Sequence, residues 1–226
     1  MKLLTLGWTA ALLGLASAQY EAIKYYDSDT GITYSSITHS IGVTYRVAMP
    51  ANSSTSDAIV QIVSRKEFAW CGLAWGGHMT QNPLSVAWAT GAQIGQKAIV
   101  SSRMAYGYYA VPQPYEGAKY TYLKGTTANA THWQVTARCQ GCTRWSSADG
   151  DFNLHNENEA VLAYACSSVA PDEPSSNTST FNMHEQFGIW SHNLSFAKNA
   201  SFADWIRKNP YNGTEKREVV EKRFYA

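Results

Sequence analysis

The chain reads as an all-β protein, a β-sandwich, and three features carry that reading. Short segments rich in β-branched and aromatic residues recur with turn signals at intervals of roughly ten residues, the spacing of sandwich strands. Almost no window shows a helical period before residues 202–207, where one short helix is expected. Aromatic residues make up 13% of the 226, a bias that suits half-buried pleated surfaces and carbohydrate or cofactor contacts alike. That length fits one domain of this class with tails; two would be a squeeze.

The first element is a secretory signal. Lys2 precedes an apolar run over residues 3–15, and Ala16-Ser17-Ala18 offers a small-x-small cleavage point before Gln19. The run is too short to span a bilayer, so residues 1–18 are expected to be removed and the mature protein to be secreted. Residues 25–34 hold two short strands about an Asp/Gly turn, residues 41–49 alternate cleanly and stop at Pro50, and a polar loop covers 51–57. Strands are expected over 58–63 and 67–73, then a turn at Gly76-Gly77 with His78 and Met79 directly behind it, then a strand over 84–88. Another spans 93–102 ahead of a Tyr/Pro-rich loop at 106–115, and segments at 120–123, 132–138 and 160–165 complete the set. The domain therefore covers residues 19–208. A charged tail expected to be disordered covers 209–226, where Glu215-Lys216-Arg217 recurs as Glu221-Lys222-Arg223. Its basic pairs suit either a processing protease or a plain solvated end.

Secretion changes how the remaining residues read. Asn52, Asn129, Asn177, Asn193, Asn199 and Asn212 each open an N-glycosylation sequon. Four cysteines in an oxidising compartment favour disulfides. Cys139-Gln140-Gly141-Cys142 lacks the histidine of a c-type haem site, Thr143 standing there instead, and has no second pair for zinc. A local disulfide across a tight turn is the better reading, a redox-active dithiol the other. Cys71 and Cys166 lie on different strand segments, where a bridge between the two sheets and a pair of buried thiols both stay open. A formal net charge of +1 points to neither nucleic acid nor an anionic membrane. The six histidines form no H-x-x-x-H or H-E-x-x-H pair, and no serine or cysteine sits in a nucleophile elbow, so a hydrolase is poorly supported. Two stretches stand out: Gly76-Gly77-His78-Met79, where a thioether and an imidazole follow a glycine opening that admits something flat and bulky, and Met183-His184 before Phe187-Gly188. The first suggests a haem pocket; in the second the histidine gains weight from its neighbours.

Taken together, these blocks resemble the haem b cytochrome domain of fungal cellobiose dehydrogenase, a member of the wider DOMON-type β-sandwich group. The similarity is carried by Gly76-Gly77-His78-Met79 with Val86-Ala87-Trp88, by Ile99-Val100-Ser101-Ser102 and by Thr131-His132-Trp133. It continues through Arg138-Cys139-Gln140-Gly141-Cys142-Thr143-x-Trp145, Val161-Leu162-Ala163-Tyr164-Ala165 and Ser179-Thr180-Phe181-x-x-His184-x-x-Phe187-Gly188. The resemblance implies an antiparallel sandwich that binds haem b without a covalent thioether, with Met79 and His184 as iron ligands and a Cys139–Cys142 disulfide. It places Tyr108 and Arg103 near the haem propionates and Gly76 and Gly77 against the porphyrin. His78 stands where a small residue is usual and offers a rival ligation with His184; on a strand, neighbours face opposite ways, so His78 and Met79 are not expected to face one iron together. The chain stops about where the family's flavin dehydrogenase domain would begin, so no sugar-oxidising machinery of its own is expected. The implied function is single-electron transfer rather than substrate conversion, with ferric reductase activity as its enzymatic form. The implied donor is a secreted flavin or quinone dehydrogenase, the acceptor a copper polysaccharide monooxygenase or a ferric complex. The rival readings are a haem-free carbohydrate-binding module and a redox accessory protein of a secreted biosynthetic route.

Overall fold

The structure is a computed structural model that describes residues 21–51 and 54–213. The expected leader, Asn52 and the tail beyond Gly213 lie outside the described residues. β1 (Ile23–Tyr26) and β2 (Thr33–Thr38) flank a turn at Gly31, followed by β3 (Thr44–Pro50) and β4 (Asp57–Arg65). β5 (Trp70–Ala74), β6 (Leu84–Ala89) and β7 (Ala98–Met104) come next, then the short β8 (Gln113–Pro114), β9 (Lys119–Tyr122) and β10 (Thr127–Ala128). β11 (His132–Gln140) leads into a hairpin of β12 (Arg144–Ser147) and β13 (Gly150–Asn153). β14 (Glu159–Ser167), β15 (Gln186–Asn193), β16 (Lys198–Asn199) and helix α1 (Phe202–Lys208) finish the domain.

Two sheets form the sandwich. One runs β1-β2-β3-β4-β11-β10, with β9 also on β11 and β16 parallel to β3; the other runs β15-β14-β5-β6-β7-β8 with antiparallel neighbours. Tyr45, Val47, Val60, Ile62, Trp133 and Val135 of the first sheet pack against Cys71, Leu73, Ala87, Val100, Leu162 and Trp190 of the second. The far face of the first sheet is closed by α1, whose Phe202 and Trp205 cover Ile32, Tyr34, Ala48 and Ile59.

The sandwich and the terminal helix agree with the sequence expectation, with local differences. Residues 67–69 and 93–97 are turn or loop, so β5 and β7 start later than expected. The β12/β13 hairpin and β15 were not expected at all. β15 escapes a period-two reading because apolar side chains occur on both its faces: Trp190 enters the core, while Phe187 and Ile189 face outward. Two disulfides are formed. Cys139–Cys142 closes the turn after β11, where Gly141 has φ 104° and a Cβ would run into Gly117 O. Cys71 and Cys166 are bonded too, yet not between sheets: they are direct register partners on neighbouring strands β5 and β14, with Cα atoms 4.1 Å apart.

Candidate functional site: an apolar cavity on the outer sheet face

An antiparallel sheet ordinarily turns one face to the core and one, polar, to water. The second sheet breaks this rule. Cys71 and Leu73 point into the sandwich, so by alternation Trp70, Gly72 and Ala74 point out, and with Leu84, Val86, Ala163 and Ala165 they line a cavity of about 500 Å³. This lies within the roughly 300–1,000 Å³ of small-molecule sites. The smallest of these residues, Gly72, Ala74, Ala163 and Ala165, form a flat floor because they pair directly, Gly72 with Ala165 and Ala74 with Ala163, across the adjacent strands β5 and β14. Trp70, Leu84 and Phe181 stand higher and cluster with Val86, Trp88 and Ile99. Three loops, 75–83, 105–112 and 168–185, rise around the floor.

Met79 and His184 both line this cavity and enter from opposite ends of the floor. Glu185 N donates to Cys166 O, so His184 leaves the sheet at the Trp70 end of β5, whereas Met79 follows the turn beyond Ala74. The four residue steps of β5 between those ends amount to about 13 Å. His78 lines the cavity as well. Residues 75–79 form a turn, and strand alternation does not operate there. Their surroundings differ, however. His78 is exposed and its ring is held by Asn82 Nδ2, 3.0 Å from Nδ1, whereas Met79 is half-buried against the Trp70–Phe181 cluster. Burial lowers the pKa of His184, keeping its imidazole neutral with a lone pair available, and leaves its Nδ1 without a hydrogen-bond partner. Trp70 Nε1, in the same apolar wall, is orphaned too.

The other expected site residues divide. Tyr108 lines the mouth and is 68% exposed, beside the exposed Tyr109 and Val111. Gly77 lines the cavity, but its glycine requirement is local: φ is 79°, and a Cβ would lie 2.6 Å from Val161 Cγ1. Gly76 is not among the lining residues; a Cβ there would collide with Asn82 Oδ1. Arg103 is not a lining residue either. It is 2% exposed, burial pulls its pKa below the ordinary guanidinium value, and its donors go to protein oxygens. Trp70 and Ile189 are among the lining residues outside the motifs singled out in the sequence, and Phe181 and Phe187, though within a motif, carried no assigned role. The available signal was Trp70-x-Gly72-x-Ala74, an apolar outward face on a strand whose inward face is also apolar.

Fold and cavity together define a β-sandwich domain with a small-molecule site on one outer face. The family model for the cytochrome domain of cellobiose dehydrogenase matches residues 25–204, and the chain belongs to that family, whose members bind haem. The solved cytochrome b domain of pyranose dehydrogenase from Coprinopsis cinerea superposes with a TM-score of 0.73 at 26% identity, covering 83% of this chain and 95% of that one. The cytochrome domain of Myriococcum thermophilum cellobiose dehydrogenase does so with a TM-score of 0.73 at 27% identity, covering 87% and 100%. Among curated proteins, the pyrroloquinoline quinone-dependent pyranose dehydrogenase of Coprinopsis cinerea is 30% identical over 197 residues, 84% of this chain. The chain spans 26% of that relative's length.

The residues present fit the family's cofactor. A flat apolar floor suits a planar macrocycle, and the donor set, one thioether and one neutral imidazole, is that of six-coordinate electron-transfer haems.

Proposed function

We propose that the chain is a secreted b-type cytochrome that passes single electrons, with haem b held by Met79 and His184. The observation that carries this is the entry of a thioether and a neutral imidazole into one apolar cavity from opposite ends of a floor of small residues. A haem so ligated supplies one-electron redox chemistry with no coordination site left for oxygen activation. Met79, as the softer donor, favours the ferrous state and raises the potential relative to two imidazoles. Trp70, Leu84, Val86 and Phe181 exclude water from the floor. Tyr108, exposed at the mouth, would meet a propionate in this reading.

The donor in this reading is a flavin or quinone dehydrogenase, in line with the relatives' names, and the acceptor a copper polysaccharide monooxygenase or a ferric complex. Secretion is supported by the leader-like segment at residues 1–18 and by both disulfides. No helix among the described residues is long and apolar enough to cross a membrane. Of the sequons, Asn177 and Asn212 have exposed side chains suited to glycans, whereas Asn129, Asn193 and Asn199 are half-buried and hold local turns through Oδ1.

Absorption spectra of purified protein, oxidised and dithionite-reduced, test the reading. Low-spin six-coordinate haem b is expected, and a protein that stays colourless after haem supplementation refutes it. A pull-down on insoluble polysaccharide, run alongside, separates the cytochrome from a haem-free carbohydrate-binding module.

A further inference from the structure

Arg103 sits on β7 beneath the cavity wall, and its guanidinium reaches two separate loops. Nη1 donates to Pro112 O at 3.1 Å, in the loop that carries Tyr108 and Tyr109. Nη2 donates to Ser179 O at 2.6 Å and Asn177 O at 3.3 Å, in the loop that carries Phe181 and His184. Nε donates to Ser101 Oγ at 2.6 Å, and that hydroxyl in turn donates to Asn177 O. The cation lies 5.3 Å from the centroid of the Phe181 ring. None of the ion pairs among the described residues includes Arg103, so the charge is buried on carbonyl and hydroxyl dipoles and the Phe181 ring, with no carboxylate.

We infer that Arg103 is a positioning residue, a bolt that fastens the two loops enclosing the cavity and thereby sets where His184 stands. Five N–H groups in a planar fork can serve acceptors on both loops at once, a geometry no other side chain provides. The same residue is a buried positive charge without a carboxylate partner, behind a wall of the cavity. Such a charge penalises adding another positive charge nearby, so it favours the reduced state of whatever redox group the cavity holds. This second role rests on the haem reading above; the first does not.

Arg103→Met and Arg103→Lys in the full chain separate the two. Amide hydrogen exchange on the protein before haem is added reads the bolt. Peptides covering 106–112 and 172–183 should both exchange faster in R103M, by about tenfold for the loss of charge-assisted bonds, while β11 stays unchanged. A response in one loop only, or in neither, overturns the bolt. Should R103M fail to fold, Ser101→Ala removes the hydroxyl that bridges Nε and Asn177 O, and faster exchange confined to 172–183 is then expected; no change there overturns the bolt. The midpoint potential of the haem-loaded protein reads the charge. R103K should stay near the wild type and R103M should shift lower, and an equal shift in both, or none, removes the electrostatic role. A chain that takes up no haem defeats the reading under Proposed function, while the exchange result still decides the bolt.

Discussion

Met79 and His184 make different demands on their substitutes. Met79→His is expected to keep haem in the cavity and lower its potential, by some fraction of the roughly 0.8 V range that axial ligands command. Met79→Ala is expected to give a five-coordinate or water-ligated spectrum. If His78→Ala perturbs the spectrum more than Met79→Ala does, the ligand assignment is wrong. Gly72 provides a control of another kind. Its absent side chain is cavity space, with Val86 the nearest neighbour at 3.6 Å from an added Cβ, so Gly72→Leu fills the floor without a backbone clash. Haem uptake should fall severely in titrations while the melting temperature of the haem-free protein holds. At this scale the sequence singled out Met79 and His184 by their distinctive chemistry, a thioether and an imidazole, and both line one cavity. The carbonyl acceptors that Arg103 finds on two loops leave no mark in the sequence, because they are main-chain atoms that only the fold brings together.

At the scale of elements, the Cys71–Cys166 bridge ties β5 to β14 under the floor and closes a 95-residue separation. In the chain-entropy account a loop of that size is worth about 4–5 kcal/mol, so the double serine variant should show a correspondingly lower unfolding free energy in urea. Haem affinity should fall with it, because Gly72 and Ala165, the neighbours of the two cysteines, belong to the floor. Gly77→Ala is expected to cost about 1–3 kcal/mol, since it combines a left-handed backbone with a collision against Val161. Strand segments with clean alternation, such as residues 41–49, were readable from sequence alone. β15 was not, because a strand with apolar side chains on both sides carries no clear period, and those on its outer side make sense only once the cavity is known.

The whole molecule carries a pH dependence in its core. His39 is buried among Tyr45, Tyr164 and Trp190, and His192 beside Trp190, and burial pushes the pKa of each down to about 4 from the ordinary 6.5. His192 accepts the Trp190 indole N–H at 3.0 Å, which keeps its Nδ1 unprotonated. The unfolded chain therefore takes up protons on these rings before the folded one does. Stability is complete above about pH 6.5 and drains as the pH falls towards 4, more through His192 than through the less enclosed His39. Urea midpoints measured at pH 7, 5.5 and 4.5 should fall in that order, and a flat profile would show that the rings are hydrated. The sandwich was legible at this scale because turn spacing and the scarcity of helical periods are global properties. The partner of Cys71 was not, because a cross-strand and a cross-sheet bridge leave the same mark on a linear chain.

The floor of the cavity is also the ceiling of the core: the strands that offer Gly72 and Ala74 to the cavity offer Cys71 and Leu73 to the sandwich. Evolution thus has little freedom to enlarge this site from below, since thinning the shared layer would open the interior as well. Lineages that need a different redox partner or potential must rewrite the mouth, and divergence should concentrate in the rim while the shared layer stays nearly constant.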